Sequence, residues 1–306
     1  MSKSDPAASV RGVVLVLGLA VLALGFLGLL SFAWSDPMTV DEVERSFSVS
    51  DGRRIEVRGR NGTIEYASWE GDEVVIRATK RVNGLLPWFA ERIAKWVRVE
   101  IVQDAQGVTA SQRGLGVVFA GNVSVSYQVL APAGWSGDIE LSTSNGRITA
   151  KDVRGSADFR SSNGPIVVDG QSGSLRVRTS NGFVELANVN GEVNASTSNG
   201  PIRIESGVLS GSGSIRTSNG AVSIRSGVER GASYNVRSSN GAISLFLVNP
   251  DVTLDLETSN GSINVEGEAA VSGGGRNSLQ TRFGDGSAAL VVRTSNGSIR
   301  VSQVLQ

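Results

Sequence analysis

From Ile139 to Val301, apolar and polar residues alternate in short bursts that keep one phase. Leu141, Phe159, Val177, Ala195, Ile215, Val236, Leu256 and Val292 each stand four residues before an asparagine. Ile148, Ile166, Val184, Ile202, Val222, Ile243, Ile263 and Ile299 stand three after it, and a further apolar residue follows two later. Apolar positions two apart with polar residues between them have the period of a half-buried strand. The asparagines, Asn145, Asn163, Asn181, Asn199, Asn219, Asn240, Asn260 and Asn296, each lie in a Thr/Ser-Ser-Asn-Gly phrase. Their steps are 18, 18, 18, 20, 21, 20 and 36 residues. The last step reads as two 18s around a decayed copy at Arg282–Gly286. A period near 20 marks an architecture that stacks one unit on itself. The unit predicted is strand, Asn-Gly corner, strand and a second, Gly-rich turn.

Two folds can use that unit. In an antiparallel array each Asn-Gly would be a two-residue hairpin turn. Pro165 and Pro201 oppose this, because they follow the glycine where the hairpin needs an N–H. In a parallel solenoid the Asn-Gly would be a corner in the left-handed region, open to both residues. The asparagines would then stack about 4.8 Å apart and pass amide hydrogen bonds along a ladder. Near-constant spacing and an unvarying asparagine are what stacking demands, and the solenoid is the better fit. Nine or ten such rungs would make a rod on the order of 45 Å long.

The rest of the chain has a different pattern. Residues 1–11 are polar, and Lys3 and Arg11 outnumber Asp5. Gly12 to Trp34 carries no charge over 23 residues, enough to span a bilayer as a helix. With the cationic flank N-terminal, the positive-inside rule puts residues 1–11 in the cytoplasm and the remainder outside. A cleaved signal peptide is the alternative, although its apolar part would be long for one. Residues 35–137 read as an irregular β region, with the repeat's grammar appearing early at Ile55, Val57, Asn61-Gly62, Ile64 and Tyr66. Within it, 85–97 reads as an amphipathic helix with Leu85, Phe89, Ile93 and Trp96 on one face. It would cap the open end of the stack or lie on the membrane. Residues 138–306 form the regular repeat.

Composition mainly excludes. There is no cysteine and no histidine, which removes thiol and imidazole catalysis, disulfides and the usual zinc sites. Lys and Arg total 29 and Asp and Glu total 29, a balance that gives no footprint for nucleic acid. No cofactor motif is present. Acidic residues do not recur in the corners, so a calcium-roll reading fails.

Three columns could carry function. Arg160, Arg178, Arg216, Arg237 and Arg293 stand three before an asparagine and by alternation face outward. Such a row could grip an envelope polysaccharide or anionic lipid, or simply cover apolar surface on a solvated face. Glu140 and Asp158 would stack as neighbours beside Arg160 and Arg176. Paired carboxylates are the machinery of glycosidases, but the column holds no sustained acid cluster and no aromatic platform for sugars stands near it. The Thr/Ser column two before each asparagine lies inward, where a hydroxyl can satisfy the corner backbone.

The Asn-Gly strand pair, the Trp69-Glu70-Gly71-Asp72 turn, the stretch Val129 to Gly134 and the Thr-Ser-Asn-Gly series together resemble the "putative adhesin" β-repeat family, DUF4097. The resemblance covers about residues 45 to 305. It implies a right-handed β-helix-like fold, often behind a membrane anchor, in proteins of the cell envelope, with no established reaction. The expectation is an all-β, membrane-anchored, extracytoplasmic solenoid that binds or scaffolds without catalysis. Its partners would be the membrane and an envelope polysaccharide, an anionic lipid or a protein. The alternatives are a polysaccharide-active enzyme using carboxylates and an accessory subunit of an envelope stress-sensing or transport system.

Overall fold

The computed structural model describes residues 38–48, 52–84, 94–114, 117–118 and 121–305. The membrane span expected at 12–34 and most of the helix expected at 85–97 lie outside them. Among the described residues no helix is long and apolar enough to cross a membrane. The first strands are β1 (Met38–Phe47), β2 (Arg54–Arg58), β3 (Ile64–Trp69), β4 (Val74–Gly84), β5 (Arg98–Gln103), β6 (Gly107–Arg113), β7 (Val117–Val118) and β8 (Gly121–Pro132). The repeat region supplies β9 (Ile139–Thr143), β10 (Ile148–Ser161), β11 (Ile166–Arg178), β12 (Val184–Thr197), β13 (Ile202–Leu209), β14 (Ser212–Thr217) and β15 (Val222–Val228). It ends with β16 (Ser233–Ser238), β17 (Ile243–Val248), β18 (Val252–Thr258), β19 (Ile263–Glu266), β20 (Ala270–Gly274), β21 (Ser278–Phe283), β22 (Ala288–Thr294) and β23 (Ile299–Val304).

The repeats stack in parallel and in register. Past the corner, the ladder runs Ile64, Ile148, Ile166, Val184, Ile202, Val222, Ile243, Ile299, Ile263. Before the corner it runs Val57, Leu141, Phe159, Val177, Ala195, Ile215, Val236, Val292, Leu256. Side chains of both rows close over one apolar core the length of the stack. Ile263, on the last rung, is the member left half-buried.

The order of the last rungs departs from the order of the chain. β16 and β17 pair not with the next strands in sequence but with β22 and β23. β18 and β19 then pair with the far side of β22 and β23. The C-terminal copy is therefore slotted between the two copies that precede it, and the rung of Val252–Glu266 ends the stack. This corrects one expectation. The segment around Arg282 to Gly286 is no decayed rung: β21 runs antiparallel along β18, from Val252 opposite Phe283 to Glu257 opposite Ser278. The C-terminal copy, β22 and β23, is paired on both sides. The return into the stack is held at Asp251, whose carboxylate accepts from the Ser287 hydroxyl at 2.6 Å and the Gly286 N–H at 2.7 Å. These bonds, the hydroxyl's first, hold its carboxyl below the usual range.

The corners work differently from the left-handed turn expected of Asn-Gly. No corner residue takes a left-handed φ. Glycine is needed there because the rungs approach too closely for a side chain. A Cβ on Gly164 would lie 1.8 Å from the Gly146 carbonyl oxygen, and one on Gly182 2.1 Å from that of Gly164. Left-handed residues occur instead at the opposite bend, in Asp152 (φ 53°), Asn188 (φ 53°) and Ser206 (φ 65°), with Gly155, Gly170 and Gly173.

Two polar ladders run along the corner. The asparagine side chains form one chain of amide bonds, Asn61 to Asn145, Asn163, Asn181, Asn199, Asn219, Asn240, Asn296 and Asn260, each 2.6 to 2.9 Å. Asn61 extends the series by one rung. Beside it, each buried Thr or Ser donates to the glycine carbonyl of the adjoining rung, as Thr179 does to Gly164 at 2.9 Å. Several also accept from the glycine N–H of their own corner, as Ser161 does from Gly164. Every buried polar group at the corner thus finds a partner, which close-packed backbone requires.

The N-terminal end is covered by antiparallel strands. β6 and β8 pair in parallel with β2 and β3 and carry the two apolar rows one step further, from Val57 to Ala110 and from Ile64 to Tyr127. β5 then runs antiparallel on β6, β4 on β8, and β1 on β4. Of the expected helix, Ala94 and Val97 are buried while Trp96 is 55% exposed, so Trp96 does not belong to an inward face.

Candidate functional site

The outward position three before each asparagine makes one straight column down the sheet. In stack order it reads Arg58, Ser142, Arg160, Arg178, Ser196, Arg216, Arg237, Arg293, Glu257. Its members are not equivalent. Arg160 is tied to Asp158 at 2.5 Å, and Arg293 reaches Glu257 at 3.0 Å and Asp255 at 3.6 Å. Arg58 is paired with Glu56. Among the described residues, Arg178, Arg216 and Arg237 are exposed and have no carboxylate partner. They occupy rungs separated by Ser196 alone, in the middle of the rod.

Beside the arginines runs the exposed corner serine of each repeat. The two columns together border shallow depressions. One lies among Ser144, Arg160, Ser162, Arg178 and Ser180, the other among Arg237, Ser239, Glu257, Arg293 and Ser295. A guanidinium with hydroxyls at its flank is a donor-rich setting suited to carboxylate, sulfate or phosphate oxygens. Rungs about 4.8 Å apart repeat that setting along the rod.

Sequence reasoning also placed Glu140 beside Asp158, and the register does so. It missed that Glu56 lies on the other side of Glu140, making three acids on consecutive rungs. Only the pairing of β2 with β9 reveals this, because residues 59–138 separate those strands in the chain. The three are neutralised locally: Arg54 reaches Glu56 at 3.0 Å and Glu140 at 2.5 Å, Arg58 pairs with Glu56 and Arg160 with Asp158. Arg176, next in the column, stands on the rung beyond Asp158. This is an ion-pair patch whose carboxylates already hold cations. Among the described residues no cluster of three or more acids is arranged to hold a metal ion.

The other outward face, past the corner, is mixed. Arg147 lies over the Phe183 ring at 5.7 Å and Arg225 over Phe246 at 5.3 Å. These cations are absorbed by neighbouring aromatics, and the face has no row of like charge.

The Toastrack DUF4097 family model matches residues 119–302, more than half of the chain. No curated protein matches it. Among solved structures, a putative adhesin from Parabacteroides merdae ATCC 43184 is 13% identical, covers 86% of this chain and 96% of its own, and gives a TM-score of 0.40. A "putative lipid binding protein" from Parabacteroides distasonis ATCC 8503 is 15% identical, with coverage of 86% and 97% and a TM-score of 0.40. A putative adhesin from the same organism is 13% identical, with coverage of 86% and 97% and a TM-score of 0.37. Likeness of this order transfers no property to the chain.

Proposed function

Since the chain belongs to the Toastrack DUF4097 family, we propose that it is a non-enzymatic binding and scaffolding module of the cell envelope, adhesin-like in action. It is held at the membrane by residues 12–34, with its N-terminus cytoplasmic and a right-handed β-solenoid outside. The observation that carries the reading is the central run of Arg178, Arg216 and Arg237, which have no carboxylate partner among the described residues and are aligned by the register and bordered by corner serines. One guanidinium on an exposed surface binds weakly. Several on a rigid rod engage a repeating anionic ligand together, and the contacts multiply through effective concentration. The ligand class is an acidic envelope polysaccharide or a surface of anionic lipid headgroups. The acids beside this run are already bound by Arg54, Arg58 and Arg160, which argues against carboxylate catalysis.

The test is a titration of the purified chain with an acidic polysaccharide and, separately, with vesicles containing phosphatidylglycerol. Changing Arg178, Arg216 and Arg237 to Ser should weaken binding at least tenfold. It should also flatten the dependence on salt, because fewer ion contacts remain to be screened. Binding unchanged in the triple variant would refute the arginine strip, and shortened glycan products would refute a non-enzymatic role.

A further inference from the structure

A second site stands at the opposite bend, where the first rung fails to close. Later rungs turn back there through a left-handed residue and a glycine: Asp152 and Gly155, Gly170 and Gly173, Asn188 and Gly191. The rung of β3 instead leaves the stack at Trp69 and passes into β4. The missing bend leaves a step. Its wall is the end of β3 with Trp69, and its floor is the stacked bends of the next three rungs. The depression measures about 490 Å³, within the ~300–1,000 Å³ of small-ligand sites.

Three features of this step point to a ligand. Trp69 is half-buried and fixed. Its ring lies so near Gly71 that a Cβ there would be 2.2 Å from Cζ2, and its indole N–H donates to the Glu73 carbonyl at 3.0 Å. Gln171 lines the depression yet is only 2% exposed, and among the described residues neither its amide oxygen nor its amide nitrogen has a hydrogen-bond partner. It stands in an inward column between Val153 and Val189. An apolar residue would satisfy that position better, because an unpaired buried amide is destabilising. Around it converge Asp152, Arg154, Asn188 and Asn190. The Asn188 amide is oriented by the Asp169 carboxylate at 2.8 Å.

We propose that this step binds a neutral saccharide unit. The lining mixes two acids, Glu70 and Asp152, with one base, Arg154, and several amides, so no cationic cluster is present to select an anion. No apolar stretch is long enough for a lipid chain. A rigid aromatic face beside fixed amide donors and acceptors suits a ring that is apolar on its faces and hydroxylated at its edge. Trp69 would take the face, and Gln171, Asn188 and Asn190 the hydroxyls. The site lies at the bends and shares no residue with the arginine strip, so it is independent of that reading.

The test is calorimetric titration of the purified full chain with maltose, cellobiose, lactose and N,N′-diacetylchitobiose. At least one should bind, and Trp69→Ala and Gln171→Leu should each weaken that binding about tenfold or more. Trp69→Phe keeps a ring and should retain part of the affinity, which guards against loss of fold in the alanine variant. Gln171→Leu should leave the melting temperature unchanged or raised. Changing Arg178, Arg216 and Arg237 to Ser should leave sugar binding as it was. The proposal is overturned if none of the four sugars binds at millimolar concentration. Unchanged binding in both Trp69→Ala and Gln171→Leu overturns it as well, and so does a lowered melting temperature for Gln171→Leu, which would assign the amide to the fold.

Discussion

Each rung reverses twice, at the Asn-Gly corner and at the bend opposite, and the two reversals obey different physics. At the corner the backbones of successive rungs lie against each other. Glycine is required by contact, asparagine by its place in the amide chain, and Thr or Ser by the carbonyl of the adjoining rung. Nothing can be added without breaking all three, so the phrase returns unaltered. At the bend left-handed conformations are added to contact, since a Cβ on Gly173 would lie 2.4 Å from the Gly155 carbonyl oxygen and one on Gly191 1.9 Å from that of Gly173, but the bend before β16 stands free. A Cβ on Gly231 (φ +79°) would meet nothing within 4 Å. Rungs of 18, 20 and 21 residues are accommodated in one stack because the extra residues lie away from the corners. Slack on one edge of a rod that is rigid on the other leaves room for a site such as the step at Trp69.

Substitutions that press on this contrast should separate widely. Gly182→Ala drives a methyl into the Gly164 carbonyl, and we expect a loss of more than ~4 kcal/mol or failure to fold, read by chemical denaturation. Asn181→Ala removes one amide bond to Asn163 and one from Asn199, both 2.7 Å. Because the ladder is exposed, the cost should be only about 1–2 kcal/mol. Gly231→Ala meets open space and pays only for its left-handed backbone, about 1 kcal/mol. If the glycines at Gly182 and Gly231 proved equally sensitive, the distinction between contact and conformation would be wrong.

Alkali should act on the bends before the corners. The corner phrase contains no group that titrates near pH 10. Under the bends, Tyr234 accepts from the Val193 N–H at 3.0 Å and donates to the Ser210 carbonyl at 2.8 Å. Burial pushes its hydroxyl up to about 12, and that of Tyr66 likewise. A folded-state value above the unfolded one near 10 means the folded chain holds its protons longer. The stability these groups contribute is then complete below pH 10 and lost as pH climbs toward 12. Hydrogen exchange between pH 10 and 12, corrected for its intrinsic rate, should rise first at the bend residues Gly191 to Val193 and Leu209 to Ser212, with the corners at Ser162 to Gly164 and Ser180 to Gly182 following.

Much of this was legible in the sequence because stacking makes every copy solve the same problem. The two inward rows, the outward arginines and the asparagine chain follow from spacing and parity alone. What escaped depends on contacts between copies. In the sequence the corner glycines read as conformational relief, since one copy alone cannot reveal the carbonyl of the next rung. Glu56 could not be joined to Glu140 and Asp158 without the pairing of β2 with β9. The pairing of Arg160 with Asp158 is local, two residues apart on one face, but that of Arg293 with Asp255 and Glu257 crosses rungs. The order of the last rungs was hidden for a deeper reason: equivalent copies stack equally well in either order, so their residues cannot say which is outermost. The unusual step of 36 residues was the one trace of the exchange.

Every column described here exists only if the rungs stack in the order given, and that order can be measured directly. The chain has no cysteine, so paired replacements give a clean readout. Neighbouring rungs lie about 4.8 Å apart, within reach of a disulfide, whereas alternate rungs at about 9.6 Å exceed its limit of about 7 Å between Cα atoms. Under mild oxidation, Ser239→Cys with Ser295→Cys, and Ser295→Cys with Ser259→Cys, should cross-link within one chain. Ser239→Cys with Ser259→Cys should remain reduced. Cross-linking of that last pair, with none between positions 239 and 295, would return the rungs to sequence order and contradict the account.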